Sequence, residues 1–359
     1  MRIFIVSNMF PSKNSPNYGV FVKNFMLQME EESFLFVSRA LIIGKSQNVF
    51  SKFVKYIKFI CELLLKGWFT TYDVMYVHQV SHSAPFVWLM LKFKNARFVL
   101  NFHGDDALVR NRIDRFFFFF SKKVVKRANL VVVPSIYFKD IVVANFEIDP
   151  SKIFVSPSGG IDPKVFYVDK SREINISRKK LTVITVCRLD EGKGLETLIN
   201  SLKNKSDIIE KIYIVGSGPL EPELKLLSKT LNLDNLICFI PMQDQNKLLY
   251  YLHKSNLFIF PSERESLGLV GIEAMASGLP IIGSNIGGIL SYLKDGVNGL
   301  SFEVGSCCDL ARKIEHFYNL SFEDRFRLSN GAIQTAQEFN KNLVIQLLKL
   351  KLNEIFKHA

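Results

Sequence analysis

Short apolar runs and longer, periodically apolar segments alternate along most of this chain. In the first half the runs at 2–7, 34–37, 73–78, 97–102 and 129–133 are rich in Val, Ile and Phe, and predict strands. Between them, segments near 20–30, 49–66, 84–93, 110–127 and 135–145 repeat apolar residues at helical spacing. That alternation predicts a parallel sheet with helices on both faces. Around 153–180 the rhythm breaks. Ser156-Pro157-Ser158-Gly159-Gly160 is rich in turn formers and 167–180 is polar, which predicts a linker. The rhythm then restarts, with strands predicted at 181–188, 211–215, 236–240, 257–260 and 280–283. Helices are predicted at 194–203, 220–231, 244–253, 269–277 and 307–319. The tail, 322–358, reads as two helices, the last carrying Val344, Leu347, Leu348 and Ile355 at helical spacing. The expected organisation is α/β with two doubly wound domains, 1–165 and 166–340. A final helix, 341–359, can pack back towards the first domain.

A length of 359 residues accommodates two such domains, and 48% hydrophobic residues fill two cores, which excludes disorder. Charge changes the picture more. Residues 1–178 hold 25 Lys and Arg against 14 Asp and Glu, whereas 179–359 hold 21 against 20. Of the net charge of +12, +11 therefore belongs to the first half, and a one-sided basic surface attracts polyanions. The five cysteines form no Cys-x-x-Cys pair and fit no zinc spacing, so reduced thiols in a cytoplasmic protein are expected. Met1-Arg2 runs directly into Ile3-Phe4-Ile5-Val6, a strand pattern rather than a secretion signal, and no run of about 18 apolar residues predicts a membrane span.

Ligands of open α/β sheets bind at the carboxyl ends of the strands, so the residues just after each strand carry the functional reading. After 181–188 comes Arg188-Leu189-Asp190-Glu191-Gly192-Lys193-Gly194. A guanidinium fork and a mobile amine at a strand-to-helix turn can neutralise a departing diphosphate without a metal. After 211–215 comes Gly216-Ser217-Gly218-Pro219, which either admits a ligand to the backbone or simply makes a tight turn. It lacks the third glycine of the dinucleotide fingerprint, because Glu221 stands there. The segment after 257–260 is the most informative. Glu265 in a loop and Glu273 on the following helix can both face one ligand and accept hydrogen bonds from sugar hydroxyls. The amides near Ser266, Leu267, Gly268 and Leu269 can meet phosphate oxygens. In the first half, 97–102 ends in His103-Gly104, which can aim a histidine at a transferred group or an acceptor. The loop after the first strand ends at Gly19, before a helix, where amides can approach phosphate or acceptor.

The Glu265-to-Glu273 segment, the Arg188 and Lys193 pair, Gly216-Ser217-Gly218-Pro219 and Ser158-Gly159-Gly160-Ile161-Asp162 together resemble the family 4 glycosyltransferases. These have the GT-B architecture of two Rossmann-like domains facing across a cleft. The likeness is clear over about 150–300 and holds in order across nearly the whole chain. The resemblance implies that Glu265 holds hydroxyls of the donor sugar, Glu273 the ribose, and Arg188 and Lys193 the diphosphate. His103 would serve the transferred sugar, and Gly19 would match the glycine of the family's first loop. It further implies transfer with retention, no cofactor and no metal. Two departures are visible. Tyr18 precedes Gly19 where many members have a second glycine, and Ser158 stands where Asn is common.

Aromatic and basic residues mix along 51–69, and Phe116 to Phe120 runs into Lys122, Lys123, Lys126 and Arg127. Each segment reads as a core-facing helix with a charged outer face or as an interfacial surface. The charge surplus favours peripheral contact with the inner face of the cell membrane, and hence a glycan or lipid-linked acceptor in surface polysaccharide or lipopolysaccharide synthesis. No nucleic-acid module is present. The competing readings are a nucleotide-sugar epimerase or sugar phosphorylase of the same fold, and a non-catalytic nucleotide- or glycan-binding subunit.

Overall fold

The computed structural model describes residues 1–16, 18–107, 112–170 and 172–356. The first positions of the helix expected at 110–127 and the last of the tail expected to reach 358 lie outside the described residues, as do Asn17 in the first loop and Ser171 in the expected linker.

Among the described residues there are two six-stranded parallel sheets. The first contains β1 (Arg2–Phe10), β2 (Leu35–Ile43), β3 (Val74–His78), β4 (Phe98–Asn101), β5 (Leu130–Val133) and β6 (Ile153–Val155), in the order β2-β1-β3-β4-β5-β6. The second contains β7 (Leu181–Val186), β8 (Ile209–Val215), β9 (Ile237–Ile240), β10 (Leu257–Phe260), β11 (Ile281–Ser284) and β12 (Gly299–Phe302), in the order β12-β11-β10-β7-β8-β9. Chain order reverses between β1 and β3 in one sheet and between β7 and β10 in the other. Those are the topological switch points.

The side-chain period of two explains why these runs read as continuous apolar stretches. Phe4, Val6, Met75 and Val77 face one layer of helices, while Ile3, Ile5, Val74 and Tyr76 face the other, so both faces of the first sheet are buried. In the second sheet Val183, Ile212, Ile214 and Ile259 point one way and Ile184, Val186, Phe258 and Phe260 the other.

The chain divides into two compact units, residues 1–159 together with the stretch from Asn342, and residues 160–341. The last helix, Lys341–Phe356, buries Ile345, Leu348, Leu352 and Phe356 in the same cluster as Ile3, Ile5 and Val22. Its Lys349 pairs with Glu32 at 2.6 Å. Where the chain leaves the first unit, Gly160 has φ +72°, and a Cβ there would sit 2.6 Å from the Phe339 carbonyl oxygen. The outgoing and returning strands are joined there, with Lys341 N donating to Ile161 O and its amine paired to Asp162 at 2.6 Å.

Several expectations need correction. The break expected from 153 begins instead with β6, a three-residue strand paired to β5, too short to register as a run beside the turn formers that follow. The polar stretch 167–180 holds a helix, Arg172–Ser177. Its polar residues bond inwards, Arg172 to Ser329 at 2.8 Å and Asn330 at 2.7 Å. The strand β12 went unpredicted because Gly299 opens it and Ser301 interrupts its apolar pattern. The helix expected from 84 starts at Val80, whose N–H donates to the buried Asp106 carboxylate at 3.1 Å.

Candidate functional site

In the second unit the loops after β7, β8 and β10 are built on one another, and glycine is what lets them approach. A Cβ on Gly216 would lie 1.8 Å from the Cys187 carbonyl oxygen, and one on Gly218 2.2 Å from that of Leu189. Leu189 N donates to Ser217 O at 3.2 Å and Leu220 N to Leu189 O at 3.1 Å. Loop-on-loop packing thus accounts for both glycines without a ligand. Gly194 caps the helix Leu195–Ser201 in the left-handed region, and its Cβ would meet the Pro261 carbonyl oxygen at 1.9 Å. Glu263 N donates to Gly192 O at 2.9 Å, which ties the β10 loop to the β7 loop across the switch point.

That packing brings together two residues 72 apart in sequence. The Lys193 ammonium is in contact with the Glu265 carboxylate, and both side chains are largely buried. Arg188 turns to Asp190 and its side chain is 70% exposed. Cys187 is close enough to feel the charges of Lys193 and Glu265, and burial pushes its thiol up to about 12, so it is not a nucleophile at neutral pH. A supporting residue the sequence reading missed is Gly288, whose Cβ would fall 2.0 Å from the Glu265 carbonyl oxygen. A Gly-Gly pair after a strand was the available signal.

Gly268, at φ +79°, caps the helix Leu269–Ala276 and accepts a hydrogen bond from the Tyr292 hydroxyl at 3.2 Å. A Cβ on it would strike the Phe260 ring at 2.6 Å. Leu267 is buried, while Ser266 and Leu269 are part-exposed. Glu273 lies in the second turn of this helix, and burial pushes its carboxyl up to about 7. A neighbouring recess of about 240 Å³ is lined by Asp190, Glu191, Glu196, Glu223 and Glu263, a surface that repels a diphosphate.

In the first unit His103 follows β4 and His78 ends β3. Nδ1 of His78 lies 2.9 Å from Nε2 of His103. Burial holds His103 down at about 3 and His78 well below its ordinary range, so both are neutral at pH 7. Asp106 anchors the turn, accepting from the backbone N–H groups of Val80, His103 and Gly104 at 3.0 to 3.1 Å, and burial raises its carboxyl to about 6. Gly19 caps the helix Val20–Glu31 at φ +70°, with a would-be Cβ 2.6 Å from the Met9 carbonyl carbon. The first turn of that helix sets Phe21 against His103, ring centroids 4.2 Å apart. His78 and Asp106 were missed in the sequence. His78 obeys the same strand-end rule as His103, whereas nothing local distinguishes Asp106 from Asp105.

Among the described residues no cluster of His, Cys, Asp or Glu is arranged to hold a metal ion, and no helix is long and apolar enough to cross a membrane.

Comparison with known proteins agrees with this layout. The profile of "Glycosyltransferase Family 4" matches residues 29–164 and that of "Glycosyl transferases group 1" matches 168–335. N-acetyl-alpha-D-glucosaminyl L-malate synthase of Bacillus anthracis is 27% identical over 253 residues, which cover 67% of this chain and 63% of that protein. The matched stretches span 46% to 68% of the length of the first curated relatives. Sucrose-phosphate synthase from Thermosynechococcus elongatus superposes with a TM-score of 0.79 at 17% identity, covering all of both chains. HepE of Anabaena, solved in complex with UDP, gives 0.77 at 17% identity, covering 99% of this chain and all of that one. The two profiles together account for both sheets, and the chain belongs to the family 4 glycosyltransferases, with the GT-B fold.

Proposed function

We propose that this chain is a retaining glycosyltransferase that moves a hexose or related sugar from a nucleoside-diphosphate donor to a glycan or lipid-linked acceptor. The observation that carries the reading is the contact of Lys193 with Glu265 at the switch point between β7 and β10. A cation for the leaving diphosphate and an anion for sugar hydroxyls are held side by side on rigid, glycine-packed loops. In this reading Lys193 and Arg188 stabilise the charge that develops as the anomeric carbon–oxygen bond to phosphate breaks, and no metal is required. Glu265 accepts from hydroxyls of the sugar ring, and Glu273 accepts from the ribose hydroxyls once ionised. The acceptor oxygen enters on the face the phosphate leaves, and its proton passes to the departing phosphate oxygen. His103, neutral at pH 7, contributes a hydrogen bond rather than a charge. Amides of Ser266 to Leu269 complete the phosphate contacts.

HepE supports a uridine-diphosphate donor as the first to try, since its structure was solved with UDP. The basic surplus of residues 1–178 supports work at the anionic inner face of a cell membrane, as surface polysaccharide or lipopolysaccharide synthesis would require. The test is a panel of UDP-, GDP- and ADP-sugars read by saturation-transfer NMR and by slow donor hydrolysis. One donor class should bind and turn over, and Glu265→Ala, Arg188→Ala and Lys193→Ala should each lower that turnover by at least about tenfold. Binding by none of the three classes, or turnover in all three variants equal to the parent's, would overturn the assignment.

A further inference from the structure

The helix Val49–Phe69 has two apolar stripes, and the first unit uses only one. Phe59, Leu63 and Gly67 are buried against the sheet. A second stripe, Phe50, Phe53, Val54, Ile57 and Leu65, is 47% to 76% exposed. Successive separations of three, one, three and eight residues keep it on one face, turned away from the buried one. The stripe continues onto two neighbouring helices. Phe93, 74% exposed at the end of Val80–Phe93, meets Trp68 edge-on at 6.0 Å. The helix Arg112–Val125 adds Phe116 and Phe119, both more than half exposed, and its Phe120 packs on Trp88 at 5.3 Å.

Amines are built into the same surface. Lys92 Nζ lies 4.0 Å from the Trp88 ring centroid and Lys123 Nζ 4.2 Å from that of Phe119. On the first helix Lys55 and Lys66 are drawn into carbonyls of residues 39–45, whereas Lys52 and Lys58 stay exposed at the surface. Exposed aromatic rings bordered by amines on flexible stems suit one kind of partner. The rings enter the interfacial layer of a bilayer while the amines reach the phosphates above it.

We infer that this three-helix face docks the protein on an anionic lipid surface. The inference rests on the membrane part of the function proposed above and names the residues that make the contact. It does not depend on the transfer chemistry. A second copy of the chain fits less well, because a two-fold contact would set the same lysines against each other. An acidic bilayer meets them with opposite charge, and each added basic side chain strengthens the attraction.

The experiment is flotation with vesicles of phosphatidylcholine alone and of phosphatidylcholine mixed with phosphatidylglycerol, at low and high salt. It compares the parent with the triple variant Phe50→Ser, Phe53→Ser, Phe116→Ser. These side chains are exposed, so their loss leaves the core intact. The parent should float with phosphatidylglycerol at low salt and not with phosphatidylcholine alone. The triple variant should bind about tenfold or more weakly while binding nucleotide sugar in solution as the parent does. A parent that ignores phosphatidylglycerol at low salt sinks the membrane reading itself. A parent that floats beside an undiminished variant sinks this face and leaves membrane contact standing. A concentration-dependent dimer in sedimentation velocity, lost in the triple variant, would give the face to a second copy instead.

Discussion

His78 and His103 stack at 17° with ring centroids 5.1 Å apart, and a hydrogen bond joins His78 Nδ1 to His103 Nε2. The other nitrogen of His78, Nε2, is buried without a partner. An orphaned lone pair costs less than an orphaned N–H, so His78 carries its proton on Nδ1 and donates it to His103. His103 then keeps its proton on Nδ1. Nitrogen-15 spectra of the histidine rings should show that tautomer. His78→Phe keeps the aromatic volume among Phe25 and Tyr76 but removes the donor. Turnover should fall by roughly ten- to a hundredfold with nucleotide affinity unchanged. An equal loss in both quantities would mark His78 as structural only.

Glu273 makes binding and stability depend on pH in opposite directions. Burial raises its carboxyl to about 7 from an ordinary value near 4.5. The free protein therefore holds it protonated below pH 7, where it cannot act as a charged acceptor. Donor affinity should weaken by up to about tenfold per unit as pH falls below 7. Stability runs the other way. A carboxyl whose folded value is raised supports the fold fully below about 4.5, and that support is lost as pH rises through 7, to the extent of roughly 3 kcal/mol. Glu273→Gln should therefore melt with the parent at pH 4 and above it at pH 8, while its donor affinity loses its pH dependence. Thermal melts and titrations at both pH values check this.

The strands and helices most legible in the sequence are those whose burial gives an uninterrupted pattern, such as β5 and β10, whose four residues are all buried. What stayed hidden was set by contacts between distant segments. The three residues of β6 are a strand because β5 offers an open edge. The site shows the same division. Lys193 and Glu265 were legible as residue types at strand ends, but their meeting depends on Gly194 passing under Pro261. The sequence leaves Gly216 and Gly218 open between an approach for a ligand and a tight turn, and their immediate neighbours are the carbonyls of the β7 loop.

The contact between Lys193 and Glu265 predicts that their variants differ in kind. Glu265→Gln releases Lys193, so UDP alone should bind as tightly as before or more tightly. The sugar-dependent gain in affinity and about a hundredfold of turnover should disappear. Lys193→Ala should weaken UDP and UDP-sugar alike and leave Glu265 part-buried without its cation, lowering the melting temperature. The double variant removes both charges and should recover part of that loss, so a double-mutant cycle should give a coupling of about 1 kcal/mol or more. Melting and calorimetric titration of the three variants measure each term. Additive effects would show that the contact does not hold in solution.

Two glycines with nearly the same backbone test whether the loops are held by packing or by conformation alone. Gly194 has φ +65° and Gly296 φ +72°, so an alanine at either position accepts the same left-handed strain, on the order of 1 kcal/mol. Their surroundings differ. The added Cβ at 194 would fall 1.9 Å from the Pro261 carbonyl oxygen, a backbone atom that cannot swing aside, whereas at 296 nothing lies within 4 Å. Gly296→Ala should therefore cost only the strain. Gly194→Ala must also push the β7 and β10 loops apart, which adds roughly 2 kcal/mol or more and separates Lys193 from Glu265. Its donor affinity should fall with its melting temperature, while Gly296→Ala keeps donor affinity. Equal losses in the two variants would mean that the strand-end loops yield to an added methyl group, and that the Lys193–Glu265 geometry is not imposed by the glycines beneath it.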